Sequence, residues 1–453
     1  YMVMADIRSA TTLKWIVSKN RTTAPANELR QAVTTSFVSS IAILPLYSLG
    51  GIVIVWMAPH LSNAEPAYYT SVRIASALLV LSFILTQILF LFESVLTGMN
   101  LSYKAMGVNP FATILGGLLM AGALTLGFGL PGLAASSVIV SLVTGLLMIR
   151  IVFAHVPWFG FARTSCQDVL SFTKLTGWFM ASKIVQTLNT SSDVILLGYF
   201  ASPAFVTAYV MSRYLMASLA NFITSAFNAT VPGLNRLVGE KRFDLISEAR
   251  SQIITYLWVS LTAIGGTICL WNRPFISIWT SPDYFAGQIE TFLIVMIAIL
   301  NAVLSVDSSI MFMALEARKN FITASVAVFL VISLACLTIP LYQTLGLLIS
   351  LFFGNVVMAI GYGCQAAHVI MKQPKSFILI AYFSRTPLFC LGLLAACAWL
   401  GTYLGPVGWF QIVVGMATSL AALSSIILFC SMAAEKRRCL LDNFLKISIF
   451  KLT

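Results

Sequence analysis

An all-α polytopic membrane fold, with its helices gathered into two pseudo-symmetric lobes, is what the sequence predicts, and three features carry that prediction. The first is composition: 59% of the 453 residues are hydrophobic and 9% are charged, with a mean hydropathy of +0.93. A water-soluble domain carries roughly a quarter charged residues, so this chain is not one. The second is segment length. Apolar stretches of about 20 residues recur, each long enough to cross a hydrocarbon core of about 30 Å as a helix. A transmembrane barrel would instead show segments of about ten residues alternating apolar and polar, and that period is absent. The third is an internal repeat. An ungapped shift of 214 positions lays Glu93-Ser94 on Asp307-Ser308, Lys104 on Arg318, Gly132-Leu133 on Gly346-Leu347, and Ser136 on Ser350. Such self-similarity is the mark of a duplicated helical unit.

About twelve spans are expected. The first, 35–58, follows a basic segment and contains Pro45 and Gly50-Gly51. The second, 74–97, carries Glu93 near its inner end. The third and fourth, 110–130 and 132–154, complete the first copy of the repeat. The fifth and sixth, 177–199 and 204–229, form a hairpin with Asp193 on one arm and Arg213 on the other. The seventh, 251–271, contains Gly265-Gly266, and the eighth, 291–315, contains Asp307. Spans 321–341 and 345–370 close the second copy, while 377–401 and 409–432 have no counterpart in the first. These ranges define an incomplete first lobe of four spans (1–171), a second lobe of six (172–371), and an appended hairpin with a basic tail (372–453). Because two spans precede the second copy, two more are expected ahead of Tyr1, for fourteen in all. The glycines inside spans read as close-packing points or hinges, and Gly51 and Gly265, which coincide under the 214 shift, are the preferred hinges.

The net charge of +12 invites a nucleic-acid reading, but the placement of the basic residues excludes it. Arg8, Lys14, Lys19, Arg21 and Arg30 precede the first span, Lys104 follows the second, Arg150, Arg163 and Lys174 flank the fourth-to-fifth connection, and Arg236, Lys241, Arg242 and Arg250 follow the sixth. Arg318, Lys319, Lys372, Lys375 and the tail from Lys436 to Lys451 continue the alternation. By the positive-inside rule both termini face the cytoplasm, and the tail also has the charge to meet anionic lipid. The eight cysteines are scattered and the three histidines are far apart, so neither a disulfide framework nor a metal site is expected. No cofactor is implied beyond proton or sodium coupling. Outer connections are short and carry no clustered carboxylates, which leaves little room for an enzyme's acid–base constellation.

Ionisable groups inside spans cost about 2.5–3.5 kcal/mol each, so they face protein or water and have partners. Asp193 and Arg213 lie at similar depth below the outer end of their hairpin, which makes an ion pair between them geometrically reasonable. Two readings stand: a gate or phosphate site in which Arg213 is released on protonation of Asp193, and a static helix clamp. Lys183, Gln186 and Asn189 give the same helix a polar face suited to a cavity wall, and Asn221 extends a polar stripe from Arg213. Glu93 and Asp307, within reach of the connections bearing Lys104 and Arg318, are expected as ion-coupling or gating groups, with an interfacial cap as the alternative for each; the cap suits Glu93 better and a proton or cation site suits Asp307. Arg385 is expected to pack or to anchor a lipid headgroup.

Three stretches resemble the polysaccharide flippase family of the multidrug/oligosaccharidyl-lipid/polysaccharide exporter superfamily. They are Asp193-Val-Ile-Leu-Leu-Gly-Tyr-Phe-Ala-Ser with Ala208-Tyr209 and Arg213-Tyr214-Leu215; Val231-Pro232-Gly233-Leu234 running into Gly239-Glu-Lys-Arg-Phe-Asp; and Phe275-Ile-Ser-Ile-Trp279-Thr. Asp283 departs from the family, which more often has a glycine and then an acid there. The resemblance implies two six-helix lobes carrying undecaprenyl-pyrophosphate-linked oligosaccharide across a bacterial plasma membrane by alternating access, for O-antigen or exopolysaccharide synthesis, with a polysaccharide polymerase as partner. The rival readings are an ion-coupled multidrug antiporter of the same superfamily and an integral-membrane polysaccharide polymerase.

Overall fold

The computed structural model describes residues 9–20, 24–61, 65–228, 230–366, 385–405 and 408–430, and these are helical with short connections. In order they form α1 (Ser9–Asn20), α2 (Ala26–Leu61), α3 (Tyr69–Gly98), α4 (Val108–Thr125), α5 (Gly129–His155), α6 (Cys166–Phe200), α7 (Pro203–Asn228), α8 (Val231–Gly239), α9 (Phe243–Trp279), α10 (Gln288–Met313), α11 (Ala317–Ala366), α12 (Arg385–Gly401) and α13 (Trp409–Cys430). Eight of these helical segments are long and apolar enough to cross a membrane. The hairpin arms α6 and α7 have the length, 35 and 26 residues, but are richer in polar side chains. The 50-residue α11 holds two expected spans, because Gln343 leaves the helical region (φ 50°, ψ −121°) between them. Residues 377–384 and the basic groups at 372, 375 and 436–451 lie outside the described residues, as does the Arg385 side chain.

Two compact units result: residues 1–181 with 232–242, and residues 182–231 with 243–453. The expected lobe boundary at 172–176 compares with a division at 181/182, inside α6.

The basic connections proved more structured than their charge suggests. Segment 5–34 contains α1, whose Ala10, Leu13 and Val17 are fully buried in the core of the first unit with Val33, Leu91, Val95 and Val152. Segment 230–250 contains α8 and the first two turns of α9. A short amphipathic helix needs few apolar residues, so the dense charge around it hid its period. On α8 those residues are Val231, Leu234 and Val238, all buried, and the buried Asn235 amide donates to the Trp15 carbonyl at 2.9 Å.

The repeat is visible in local geometry. Gly129 (φ 56°) and Gln343 (φ 50°), 214 positions apart, both turn the chain through the left-handed region at the start of the last helix of their unit's repeat. Two turns later Ser136 donates to the Gly132 carbonyl at 3.0 Å, and Ser350 to the Gly346 carbonyl at 2.9 Å. Gly51 on α2 and Gly265 on α9 each bring a backbone against a valine, Val80 on α3 and Val295 on α10, leaving no space for a β-carbon. Both expected hinges are thus close-packing points.

Candidate functional site

In the second unit, Pro203 starts α7 after the turn at 201–202, which fixes the hairpin and sets the heights of its side chains. Asp193 faces Tyr209 and Arg213, which lie one helical turn apart on α7 and so share a face. The Tyr209 hydroxyl donates to Asp193 Oδ2 at 2.6 Å, Arg213 Nη1 forms an ion pair with the same oxygen, and Nη1 also donates to the Tyr209 oxygen at 2.9 Å. The guanidinium lies 5.3 Å from the centre of the Tyr209 ring, a cation–π distance. The other Asp193 oxygen accepts from the Val194 N–H at 2.8 Å. Asp193 is buried, whereas the Arg213 side chain keeps 31% of its surface exposed. Nε and Nη2 of Arg213 bond nothing among the described residues. A guanidinium has five N–H donors in a fork that suits phosphate oxygens, and here most of that fork remains free.

The expected cavity wall on α6 divides in two. Gln186 donates to Ser308 Oγ at 2.9 Å and to Asn320 Oδ1 at 3.2 Å, while the Tyr362 hydroxyl donates to the same Asn320 oxygen at 2.8 Å. Asn189 donates to Asn355 Oδ1 at 3.0 Å. These amides join α6 to α10 and α11, as polar groups do between membrane helices. Lys183, by contrast, is exposed on α6, and Asn221 is exposed on α7.

Asp307 is fully buried and takes two bonds from Arg250, Nε to Oδ1 at 2.6 Å and Nη2 to Oδ2 at 2.8 Å. From sequence, Arg250 falls in a connection, because the apolar run begins only at 251. In the structure α9 starts at Phe243 and carries Arg250 into the interior. Removing one partner of a buried pair like this costs about 3–5 kcal/mol.

The first unit contains an open cavity of about 830 Å³ walled by α3, α4 and α5. Glu93 lines it, together with Ser82, Thr86, Asn109, Ser141 and Thr144. Ser141 Oγ lies 2.8 Å from Ser82 Oγ and 3.2 Å from Thr86 Oγ1, joining α3 to α5 through hydroxyls. Sequence reasoning missed this cavity. The available signal was the spacing, with Ser82 and Thr86 one turn apart on α3, and Ser137, Ser141 and Thr144 on one face of α5. Glu93 acts electrostatically on Lys14 of α1; burial pulls the Lys14 ammonium below its ordinary value, and the carboxylate partly opposes this. Lys104, the cation expected beside Glu93, lies over the Tyr103 ring at 5.3 Å. Among the described residues no group of three or more His, Cys, Asp or Glu could hold a metal ion.

Residues 13–242, which include the whole α6–α7 hairpin, match the family model described as polysaccharide biosynthesis protein. The chain belongs to that family. The chain has the fold of the MATE and MOP superfamily transporters. A mutant of the Vibrio cholerae MATE transporter VcmN is 17% identical, with a TM-score of 0.64 over 83% of this chain and 87% of that one. The bent form of VcmN is 15% identical, with a TM-score of 0.60 over 86% and 85%. A MOP superfamily transporter from Pyrococcus furiosus is 16% identical, with a TM-score of 0.60 over 84% and 86%. No curated protein sequence matches the chain.

Proposed function

We propose that this chain is a flippase that moves a prenyl-pyrophosphate-linked oligosaccharide from the cytoplasmic to the outer leaflet of a bacterial plasma membrane by alternating access. The observation that carries the reading is Arg213: a half-buried guanidinium, held in place by Asp193 and Tyr209 through one nitrogen, with Nε and Nη2 left to bind an anion. Lys183 adds a second exposed cation on α6, ten residues before Asp193 and so about 15 Å along the helix, a spacing suited to following a charged headgroup through the membrane. The hydroxyl- and amide-bearing surface of α6 and α7 offers hydrogen bonds to sugar, while the prenyl chain stays in lipid. Protonation of Asp193 would release Arg213, making the cluster a gate as well as a binding site. Both termini are cytoplasmic in this reading. The protein makes and breaks no covalent bond, and a polysaccharide polymerase takes its product.

The direct experiment is a leaflet assay with a fluorescent prenyl-pyrophosphate saccharide in proteoliposomes, comparing the unaltered chain with Arg213→Ala and Asp193→Asn. Translocation by the unaltered chain, lost in folded Arg213→Ala, is the expected result. If the unaltered chain moves small cationic drugs and leaves the saccharide in place, multidrug export, the activity in the name of its MATE structural neighbours, replaces it.

A further inference from the structure

We propose that Tyr214, Phe275 and Trp279 form a stacking platform for pyranose rings, and that Ser218, Asn221 and Ser225 continue it along α7 as a hydrogen-bonding stripe. The second unit would then hold a saccharide by contacts separate from Arg213. The rings follow one another across three helices. Tyr214 of α7 has its ring centre 5.4 Å from that of Trp279 on α9, with the planes at 37°. Trp279 lies 5.5 Å from Phe275 at 35°, and Phe275 meets Trp409 of α13 edge-on at 6.1 Å. Tyr214 is 53% and Trp279 41% exposed, so both have ring surface to offer a ligand. An aromatic face is negative, and the axial C–H groups on one side of a pyranose present the complementary positive charge.

Exposed rings on a membrane protein have a plainer use, as an aromatic belt at the lipid interface. Two observations on α7 argue against a belt here. Belt residues sit at the ends of spans, whereas Tyr214 comes 11 residues after Pro203 in a helix of 26, about 16 Å along it. Its face of the helix is also wet. Ser218, Asn221 and Ser225 follow Tyr214 at 4, 7 and 11 residues, within about 40° of the same bearing, and all three are exposed. The Asn221 amide bonds nothing among the described residues, and the Ser225 hydroxyl donates to the Asn221 carbonyl at 2.8 Å. Hydrocarbon offers an amide no hydrogen bond, so this face meets water or a hydroxyl-rich ligand, and Tyr214 shares it. The place of the platform rests on the flippase reading: in that substrate the first sugar is bonded to the pyrophosphate, and Arg213 and Tyr214 are consecutive. A pyrophosphate on Nε and Nη2 of Arg213 therefore brings the first ring beside Tyr214. Stacking uses C–H faces that pyranoses have in common, while the amide and hydroxyls of the stripe read the arrangement of sugar hydroxyls.

Two probes of the full chain in detergent separate the platform from its place beside the pyrophosphate. The first is free N,N′-diacetylchitobiose, a soluble disaccharide that needs neither lipid nor transport. Saturation-transfer NMR with the protein's aromatic protons irradiated should mark the sugar's ring C–H protons in the unaltered chain. The signal should persist in Tyr214→Phe and Trp279→Phe, and most of it should vanish when Tyr214→Ala and Trp279→Ala are combined. A signal missing from the unaltered chain, or undiminished in the double alanine variant, overturns the platform. The second probe is a pair of lipids, undecaprenyl pyrophosphate bare and bearing that disaccharide. The unaltered chain should bind the glycosylated lipid about tenfold more tightly, and the double alanine variant should bind the two alike. Equal affinities in the unaltered chain overturn the place assigned beside Arg213. If neither lipid binds, the flippase reading fails, while the soluble sugar still decides the platform. If the platform fails and Arg213→Ala weakens the bare lipid, the flippase reading stands without it.

Discussion

Arg213 and Arg250 are both arginines paired with aspartates, and the difference between them is how many donors the partner occupies. Asp307 takes two Arg250 donors in a sealed site, whereas Asp193 engages one nitrogen of Arg213 and shares itself with Tyr209. Arg250→Met alone should therefore destabilise the protein by about 3–5 kcal/mol, and adding Asp307→Leu should restore it to near or above the starting stability. Thermal unfolding in detergent checks both; a double variant no better than the single would show that the pair does more than fill space. Asp168 offers a pH-dependent counterpart outside the membrane spans. Ser165 caps α6, and its hydroxyl donates to Asp168 Oδ2 at 2.6 Å while Asp168 N–H donates back to Ser165 at 3.1 Å, a reciprocal capping box. The Ser165 hydroxyl and N–H, followed by the Gln31 amide, hold the Asp168 carboxyl below its usual range. A carboxylate lowered on folding stabilises above the unfolded value, about 3.9, and that contribution is lost as pH falls through the lower folded value. The protection of amides in the first turn of α6, taken as exchange relative to the intrinsic rate at each pH, should thus fall as the medium is acidified below that range, and Asp168→Ala should show the low protection at every pH.

At the scale of helices, the first-to-second and seventh-to-eighth span pairs are each held at a glycine. The β-carbon that Gly265→Leu would introduce meets Val295 of α10, and in the first unit Gly51→Leu meets Val80 of α3. Each substitution should cost about 1–3 kcal/mol through overpacking, and Val295→Ala should recover part of the loss at Gly265. Equal melting temperatures for Gly265→Leu and the unaltered protein would return that glycine to the status of a hinge. The amides of α6 show why composition misjudges such an element. Gln186 and Asn189 are polar enough to suggest a wet surface, yet their amide nitrogens donate to Ser308, Asn320 and Asn355 on neighbouring helices. A polar residue in a membrane helix needs a hydrogen-bond partner, and sequence cannot say whether water, sugar or another helix provides it.

For the molecule as a whole, alternation of basic connections makes a prediction of orientation. Cysteines introduced singly at positions 24 and 163 should react with a membrane-impermeant thiol reagent only after the cell envelope is opened, and one at position 65 should react in intact spheroplasts. Labelling at 24 from outside would invert the topology and with it the direction of transport. The all-helical membrane fold, the spans and the duplication were legible in the sequence because each rests on a local or regular quantity: apolar runs of about 20 residues, or identity at a constant offset. The Asp193–Arg213 pair was legible too, since a short hairpin fixes the relative height of its two arms. Four matters were settled by tertiary structure alone. Arg250 became the partner of Asp307 because α9 begins two turns before its apolar run; Tyr209 joined the Asp193 cluster; α1 and α8 folded out of segments that looked like loops; and polar side chains from α3, α4 and α5 came together on the wall of an open cavity beside Glu93. Each depends on which side chains meet across helices far apart in sequence, and that is fixed by packing, which no window along the chain contains.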